Sequence, residues 1–348
     1  MTIKEISKLA GVSTATVSHV LNNREGRYSD EVKERVMRIV KENGYIPNKI
    51  AKSLREKRTN TIGILAEDIT HFQTPSIIAG INNYVEKIDM HVVLENLSLV
   101  KKVGWHTEKA FLYKEKINGA INVLMNAHVD GIIYIGWQDR DITNLIMPLN
   151  IPLVYAYCYT EEEERSWVSY DNESSMAEVI DRVLTLGHRK IAFLGGGHKH
   201  FKPTEKRYNI YRQKLASANI PLRSEYIKYG DWSFDDGKRF YKELICLDDP
   251  PTAILSLNDH MAAGAIRESM NTDRKVLDEI SVVGFNGFEF TGFINPTLAT
   301  VRLPLEEIGY NVAEQLLEEI NDSNAKPRQE LLKCEFVNGS SLRKCSQK

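Results

Sequence analysis

The chain has 348 residues, of which 42% are apolar and 26% are charged, and this composition excludes a disordered chain. The length allows one small module and two domains of ordinary size. The formal net charge of -2 hides an asymmetry: residues 1–59 carry 13 Lys and Arg against 7 Asp and Glu, giving +6, and the remainder carries 32 against 40, giving -8. A basic end on an acidic body is typical of a protein that contacts phosphate with one end only.

Cysteine spacing and hydropathy exclude two further classes. The four cysteines, at 158, 246, 334 and 345, form no CxxC pair and have no His neighbours at metal-ligand spacing. We therefore expect reduced thiols, no metal and no cofactor. No apolar signal region opens the chain, and no run approaches the roughly 18 apolar residues of a membrane helix. We expect a cytoplasmic protein that does not bind membranes.

The first predicted elements are two short helices joined by a sharp turn. Thr2 and Glu5 have the spacing of a capping box, which marks a helix start. Gly11 interrupts the pattern, because a bend between packed helices favours a residue without Cβ. Ser13 then offers a cap to a second helix, whose apolar residues recur at spacings of three and four. This arrangement predicts a helix-turn-helix.

The exposed face of the second helix carries small or polar side chains. Such a helix can enter a major groove with its first turn against the base edges. An ordinary helical hairpin is the alternative. The residues predicted to contact DNA from this region are Ser13, Thr14, Ala15, Thr16, Ser18, His19 and Asn23.

A third helix and a short connecting segment follow. Ser29 is a plausible cap for the third helix, and Asn43 with Gly44 forms a stop signal. After Pro47, residues 48 to 56 (NKIAKSLRE) regain a helical pattern. Isolated helices of about 12 to 15 residues are already marginal in water, so this piece should order only when something packs against it. A plain charged linker is the alternative.

From residue 61 onward, short apolar runs alternate with helical patterns. This alternation predicts βα units and parallel sheets, and nine strands suit two sheets with a cleft between them better than one. The stretch 100–127 is left unexplained. The predicted strands are 62–66, 91–94, 131–135, 153–157, 190–194, 226–229, 253–257, 281–285 and 298–301.

An enzyme is a rival interpretation, because Rossmann-like sheets often host catalysis and three glycines at 195–197 follow a predicted strand. The chain lacks the G-x-G-x-x-G spacing, a Walker lysine and a G-x-S-x-G nucleophile turn. A tight loop explains the glycines more simply. We therefore predict that the protein is not an enzyme and has no catalytic residues.

The motif AGVSTATVSHVLNN at 10–23 resembles the headpiece of the lactose repressor (LacI/GalR) family, and the resemblance extends over essentially the whole chain. It implies a small all-α helix-turn-helix headpiece and an α/β core of two Rossmann-like parallel-sheet subdomains, similar to periplasmic sugar-binding proteins. The implied domains are a headpiece at 1–46, a hinge helix and linker at 47–60, and an effector-binding and dimerisation core at 61–340. Within the core, the N-subdomain is expected at about 61–160 and 291–320, and the C-subdomain at about 161–290 and 321–340.

The resemblance also implies how DNA is bound. In the family, the hinge helix pairs with its dimer mate in the minor groove, where a leucine matching Leu54 wedges between base pairs. Ala51, Lys52 and Arg55 would lie beside it. Relatives commonly have an arginine at the position of His19, and a neutral imidazole makes at most one bond to a base, so a different operator sequence is expected. The implied partner is a pseudo-palindromic double-stranded operator, bound by a homodimer.

The effector site is implied in the same way. Four positions match sugar-contacting residues of the family: Arg207, Trp232, Asn258 and Asn286, the last of which is frequently Asp in relatives. The opposite wall is assigned to Asp68, Phe72, Trp137, Asp171 and Ser174, which follow strands or precede a helix. The implied function is a repressor of sugar-utilisation genes that a small sugar releases. A regulator that depends on a purine-type corepressor or a protein partner is the alternative.

Overall fold

The computed structural model describes residues 1–23, 26–45, 58–88, 90–104, 107–197, 202–272 and 279–346. The chain divides into two compact units, Met1–Thr59 and Asn60–Lys348. The predicted headpiece lies in the first unit, and the predicted α/β core makes up the second. The predicted hinge helix at 48–56 lies outside the described residues.

Three capped helices form the first unit: α1 (Ile3–Ala10), α2 (Thr14–Leu21) and α3 (Asp30–Glu42). The predicted capping box is present, with the Thr2 N–H donating to the Glu5 carboxylate at 2.7 Å. Ser13 caps α2, because its Oγ accepts the Thr16 N–H at 3.0 Å. The helices share one small apolar core, whose fully packed members are Ile6, Ala10, Val17, Val20 and Val36.

The second unit contains two parallel sheets. Its strands are β1 (Thr61–Ala66), β2 (His91–Asn96), β3 (Gly131–Ile135), β4 (Leu153–Ala156), β5 (Ser166–Tyr170), β6 (Ile191–Gly196), β7 (Ile227–Gly230), β8 (Ala253–Ser256), β9 (Ser281–Val283), β10 (Thr300–Arg302), β11 (Gln329–Leu332) and β12 (Glu335–Val337). The first sheet has the order β11-β5-β4-β3-β1-β2, and the second has the order β7-β6-β8-β9. Strands β10 and β12 form a separate antiparallel pair. The predicted fold class, an all-α headpiece with a core of two parallel-sheet subdomains, is confirmed.

Helices follow most of the strands. They are α4 (Thr74–Val85), α5 (Val100–Val103), α6 (Lys114–Asn126), α7 (Asn172–Thr185), α8 (Lys202–Ser217), α9 (Phe234–Ile245), α10 (Asp259–Ser269) and α11 (Leu305–Asn321). The stretch 100–127 forms α5, a 3-10 turn at Thr107–Tyr113, and α6. Helix α6 buries Ile117, Ile121 and Leu124 with side chains of the first sheet, so this stretch is part of the first subdomain.

The boundary between the subdomains differs from the prediction. All nine predicted strands are present, eight of them with shifted ends, but β5, β11 and β12 are not predicted. Strand β5 belongs to the first sheet, so the first crossover comes after Tyr170 and not near residue 160. Strand β11 also joins the first sheet, whereas the prediction places 321–340 in the second subdomain. Both strands interrupt apolar residues with Ser, Gln or Glu, so hydrophobic runs do not reveal them.

Glycines bring helices α4 and α11 into close contact on the first sheet. A Cβ on Gly80 would lie 1.9 Å from the carbonyl oxygen of Glu306, and a Cβ on Gly309 would lie 2.0 Å from that of Ile77. Because these obstacles are backbone atoms, no side-chain movement can relieve them. The two helices therefore depend on glycine at the crossing.

The described residues contain neither a membrane-spanning helix nor a cluster of metal-ligating side chains. In these ranges, no helix is long and apolar enough to cross a membrane. The same ranges contain no group of three or more His, Cys, Asp or Glu residues placed to hold a metal ion.

Gly309→Ala should destabilise the core, because its new Cβ meets the backbone of α4. Overpacking of this kind typically costs about 1 to 3 kcal/mol. Gly119→Ala is the matched control, since Gly119 lies inside α6 with nothing within 4 Å of its added Cβ. That change should stabilise the protein by about 0.5 to 1 kcal/mol through helix propensity. Urea unfolding of both variants measures the difference, and equal midpoints would contradict the close-crossing argument.

Candidate nucleic-acid interface and effector cleft

The α2 helix presents a face with short side chains. Val17 and Val20 are buried in the headpiece core, while Thr14 and Ala15 at the start of the helix are exposed. Thr16, Ser18 and His19 are half-buried, and Ser13 is exposed at the cap. The exposed first turn therefore has no bulky side chain that would hold it away from base edges.

The structure assigns part of this predicted contact set to local roles. The Ser13 and Thr16 hydroxyls lie 2.9 Å apart, so both are engaged in the cap of α2. Asn23 is exposed with a left-handed φ of 50°, and its Oδ1 accepts the Tyr28 hydroxyl at 3.4 Å. In the described part of the chain, Nδ1 of His19 has no hydrogen-bond partner. The other four predicted contacts, Ala51, Lys52, Leu54 and Arg55, lie outside the described residues.

In the second unit, a narrow cleft lies at the carboxyl ends of both sheets, where open α/β sheets bind ligands. The cavity there has a volume of about 60 Å³. Five of the predicted effector residues line it: Phe72, Arg207, Trp232, Asn258 and Asn286. Seven lining residues were not predicted: His71, Gln73, Gln138, Asp139, Tyr157, Tyr170 and Leu257.

Arg207 is the buried centre of the cleft. Its Nε donates to Oδ1 of Asn172 at 2.7 Å, and its NH1 donates to the carbonyl of Leu257 at 2.9 Å. Its NH2 donates to the hydroxyl of Tyr170, also at 2.9 Å. The guanidinium lies 3.5 Å from the ring centre of Phe285. This one side chain on α8 therefore connects the second subdomain to β5 of the first.

Trp232 and Asn258 are held to each other. Asn258 caps α10, because its Oδ1 accepts the Met261 N–H at 2.8 Å, and its Nδ2 donates to the Trp232 carbonyl at 2.9 Å. The indole of Trp232 rests on Gly196, where a Cβ would lie 1.8 Å from the ring. Asn258 thus has both ends of its amide in use and serves to position the loop that holds Trp232.

Three cleft residues have positive φ, which bulky side chains rarely adopt. The values are 59° for Tyr157, 63° for Trp232 and 119° for Asn286. Each of these residues lies just after a strand of one of the two sheets. Such conformations cost free energy, and they tend to occur where a side chain must be aimed at a ligand.

Phe72 closes one side of the cleft. Its ring makes an edge contact with Phe288, with the two ring centres 4.3 Å apart. Phe72 follows β1 of the first subdomain and Phe288 follows β9 of the second. The contact therefore joins the two subdomains, as the Arg207 bond to Tyr170 does.

Four predicted effector residues do not line the cavity. Trp137 is fully buried in the first subdomain, where its ring lies 5.0 Å from the guanidinium of Arg140. Asp171 caps α7 by accepting the Ser174 N–H at 3.0 Å, and Ser174 itself faces a separate surface groove. Asp68 is buried in a turn, where its Oδ1 accepts both the N–H and the hydroxyl of Thr70. The aromatic or polar character of these side chains is explained by core packing, capping and turn formation.

The loop after β3 supplies polar residues in place of Trp137. Asp139 is 5% exposed, and its carboxylate accepts the Ser169 hydroxyl at 2.8 Å and Nδ2 of Asn172 at 3.3 Å. Burial raises the pKa of Asp139 above its ordinary value, and Lys206 opposes that effect. The sequence could have indicated these two residues, because Gln138 and Asp139 are polar and directly follow Trp137 in the loop after β3.

A buried ion pair fixes this loop. The Arg140 guanidinium binds the Glu67 carboxylate with two bonds, of 2.6 and 2.8 Å, and both side chains are buried. The Trp137 N–H and the Tyr134 hydroxyl also donate to Glu67. A carboxylate with this many donors is well compensated, so it anchors the residues on either side of Gln138 and Asp139.

Comparisons with known proteins agree with this architecture. Residues 2–48 match the family model of bacterial regulatory proteins, lacI family, and residues 180–342 match that of the periplasmic binding protein-like domain. The probable HTH-type transcriptional repressor ExuR of Bacillus subtilis is 29% identical over 350 residues, covering 99% of each chain. The ribose operon repressor of Haemophilus influenzae is 27% identical over 94% of each chain.

Solved structures show the same fold. The lac repressor dimer bound to operator and the anti-inducer ONPF has a TM-score of 0.80 at 23% identity, with 98% of each chain covered. The CelR–cellobiose complex has a TM-score of 0.64 at 24% identity, covering 98% of this chain and 99% of the other.

This chain belongs to the LacI family. The family consists of transcriptional regulators and not of enzymes, and its members bind operator DNA and small-molecule effectors as dimers. The resemblance inferred from residues 10–23 is thereby confirmed. In this LacI-family chain, the three-helix unit contains the residues that match the lacI family model, and the α/β unit contains those that match the periplasmic binding protein-like domain.

His19→Ala should relax discrimination at one base pair in each operator half-site, because we expect this side chain to bond a base edge. Such contacts are worth about 1 to 3 kcal/mol each. Operators selected from random duplexes, then varied singly, provide the binding panel. An unchanged ranking of all the variants by the His19→Ala protein would contradict direct readout by this side chain.

His71 should make the protein less stable in acid. Burial lowers its pKa from 6.5 to about 4, so the unfolded chain binds a proton that the native protein does not. The resulting stabilisation is complete above pH 6.5 and is lost as the pH falls towards 4, a change of at most about 3 kcal/mol. His71→Gln should remove this loss, as measured by urea unfolding between pH 4 and 7.

Wild type must be compared with His71→Gln, because Asp259 also changes its protonation between pH 4 and 7. Burial raises its pKa to about 6, which stabilises the fold on acidification and so acts in the opposite direction. Parallel stability curves for wild type and His71→Gln would show that His71 is not the titrating group.

Proposed function

We propose that this protein is a cytoplasmic repressor of sugar-utilisation genes, which binds a pseudo-palindromic operator as a two-fold symmetric homodimer and is released by a small sugar. The observation that carries the effector proposal is the cleft around Arg207. There, strand ends of two subdomains bring aromatic faces and buried polar side chains around one cavity.

The chemistry of the cleft suits a ligand rich in hydroxyl groups. Arg207 offers a planar set of N–H donors, and the amides of Gln73 and Gln138 offer both donors and acceptors. The ring of Trp232 can lie against the C–H face of a pyranose. An apolar effector would leave the buried Oε1 of Gln138, which has no donor among the described residues, without a partner, and that would cost binding free energy.

The size of the cavity indicates how such a ligand acts. About 60 Å³ is far below the roughly 300 to 1,000 Å³ of ordinary ligand pockets, so a sugar cannot enter the cleft in its present arrangement. The hydrogen bond from Arg207 to Tyr170 and the ring contact between Phe72 and Phe288 hold this closed form. The sugar must therefore bind a more open arrangement of the subdomains.

Such differential binding is what an allosteric response requires. A ligand changes operator affinity only through its different affinities for two arrangements of the core. We propose that the open arrangement withdraws support from the hinge segment at 47–60, so that the headpieces bind DNA less tightly. The coupling for such a switch is about 1 to 3 kcal/mol, or 5-fold to 150-fold in operator affinity.

Arg207→Ala should abolish the effect of the sugar on operator affinity, because it removes the central donor of the cleft. Arg212→Ala is the matched control, since Arg212 lies exposed on the same helix and outside the cavity lining. Thermal-shift screening of saccharides, with a purine base as comparison ligand, identifies the effector. Operator titrations with and without it then measure the response.

The proposal fails if the folded Arg207→Ala protein responds at normal effector concentrations while Arg212→Ala does the same. A thermal shift with the purine base and with no saccharide would favour the corepressor alternative.

A further inference from the structure

A second cavity lies at the end of the second sheet opposite to the cleft. The cleft is formed at the carboxyl ends of the strands, whereas this cavity is formed where β6 and β7 begin, beside the last turns of α8. Its volume is about 320 Å³, within the roughly 300 to 1,000 Å³ of ordinary ligand pockets. The two cavities share no lining residue. This cavity is therefore large enough to hold a ligand of its own.

The floor of the second cavity is apolar. Ile191, Tyr211, Leu215 and Tyr226 line it, and each is 2% exposed or less. Both tyrosine hydroxyls are already in use, because that of Tyr211 donates to the Ile191 carbonyl at 2.7 Å and that of Tyr226 donates to the Asp249 carbonyl at 2.6 Å. The floor thus offers ring faces and aliphatic carbon, which suit an aromatic ring better than a ring covered with hydroxyl groups.

The charged residues in the lining are all cations: Arg189, Lys190 and Arg223. Lys190 and Arg223 share the carboxylate of Asp249, which lies outside the lining. Arg189 forms no ion pair with any residue that the structure describes, and its NH1 donates to two backbone carbonyl oxygens, at 3.0 and 2.9 Å. Three cations and one carboxylate leave an excess of two positive charges in this group.

The nearest carboxylates along the chain do not cancel this excess. Glu225 and Asp248 are exposed and lie outside the lining. Attraction to such exposed charges is weakened by water and salt, so it contributes little. An anion inside the cavity would meet the cations of the lining while its apolar part covered the floor.

We propose that this cavity is a second ligand site, which binds a small aromatic anion: one ring that carries a carboxylate or a phosphate group. The ring covers the apolar floor, and the anionic group binds the cations of the lining. Arginine is suited to this task, because its planar guanidinium can donate two parallel N–H bonds to a carboxylate or a phosphate. This inference goes beyond the proposed function, since the two cavities are separate and require ligands of different chemistry.

Titration calorimetry of the full-length protein with defined probes tests the proposal. Benzoate, phenylacetate and phenyl phosphate combine a ring with an anionic group, whereas benzyl alcohol lacks the charge and inorganic phosphate lacks the ring. At least one aromatic anion should bind with a Kd of about 1 mM or tighter, and about tenfold more tightly than benzyl alcohol and inorganic phosphate. Comparison of the two carboxylates with phenyl phosphate then identifies the preferred anionic group.

Ala218→Phe should abolish binding of the aromatic anion, because Ala218 lines the cavity and a phenyl ring would fill it. The substitution removes no charge. Ala216→Phe is the matched control, since Ala216 is exposed on the last turn of α8 and lies outside the lining. That control should bind the anion as wild type does.

Arg189→Gln should weaken binding about tenfold or more, because a charged donor to the anion is lost. Arg212→Gln is the matched control, since Arg212 is exposed on α8 and outside the lining. It removes the same charge and should leave the affinity unchanged. Thermal melting checks that each variant is folded, and the comparison of probes on the wild-type protein does not depend on any variant.

Arg207→Ala distinguishes the two cavities, because Arg207 is the buried cation of the cleft. Loss of anion binding in this variant would place the anion in the cleft and overturn the proposal. Binding that persists in folded Ala218→Phe overturns it as well, and so does equal affinity for benzyl alcohol. Failure of every aromatic anion to reach the expected affinity for wild type also overturns it. None of these results bears on the response to a sugar, which is measured separately.

Discussion

The buried guanidinium of Arg207 is the constraint on which the architecture of the core depends. A charged group in a protein interior must have its N–H donors satisfied, or its burial costs several kcal/mol. Arg207 meets this requirement with acceptors from three places: Asn172 at the start of α7, the carbonyl of Leu257 after β8, and the hydroxyl of Tyr170 at the end of β5. Because the acceptors belong to both subdomains, satisfying one side chain fixes the distance between two sheets.

The first-subdomain wall has its own anchor. Glu67 accepts bonds from Arg140, from the Trp137 N–H and from the Tyr134 hydroxyl, so the end of β1 is tied to the loop after β3. Glu67 and Arg140 are both buried, and their opposite charges are paired with each other. Asp139 is buried from solvent but lines the cavity from this loop. The Glu67–Arg140 ion pair fixes the residues around it.

Local patterns in the sequence predicted most of the fold. Caps at Thr2, Ser13 and Ser29 mark helix starts through bonds between neighbours in the chain, so they can be read without a tertiary structure. Strands β5 and β11 could not be read in this way. Their pattern is broken by polar residues, and the position of β11 in the first sheet depends on pairing with β5, more than 150 positions away in the chain.

The lining of the candidate effector cleft was predictable to a smaller degree, since a side chain after a strand can face a ligand, a helix end or the core. Asn258 lines the cavity, yet its side-chain amide caps α10, while the side chain of Trp137 is buried in the first subdomain. The identity of a residue does not decide between these roles. The geometry of the neighbouring elements does, and it also determines which strand-end residues, such as Tyr157 and Trp232, are held at positive φ.

The closed cleft sets a limit on how strongly any effector can bind. A ligand that fits only the open arrangement has its apparent affinity reduced by the fraction of molecules that are open, so roughly 1% open weakens binding about 100-fold. Two contacts hold the cleft closed, Arg207 with Tyr170 and Phe72 with Phe288. By stabilising the closed state, they lower the apparent affinity for such a ligand. Phe288, which does not line the cavity, can in this way affect the concentration at which an effector acts. Arg207 has two roles, because it belongs both to the polar wall of the cleft and to the contacts that close it.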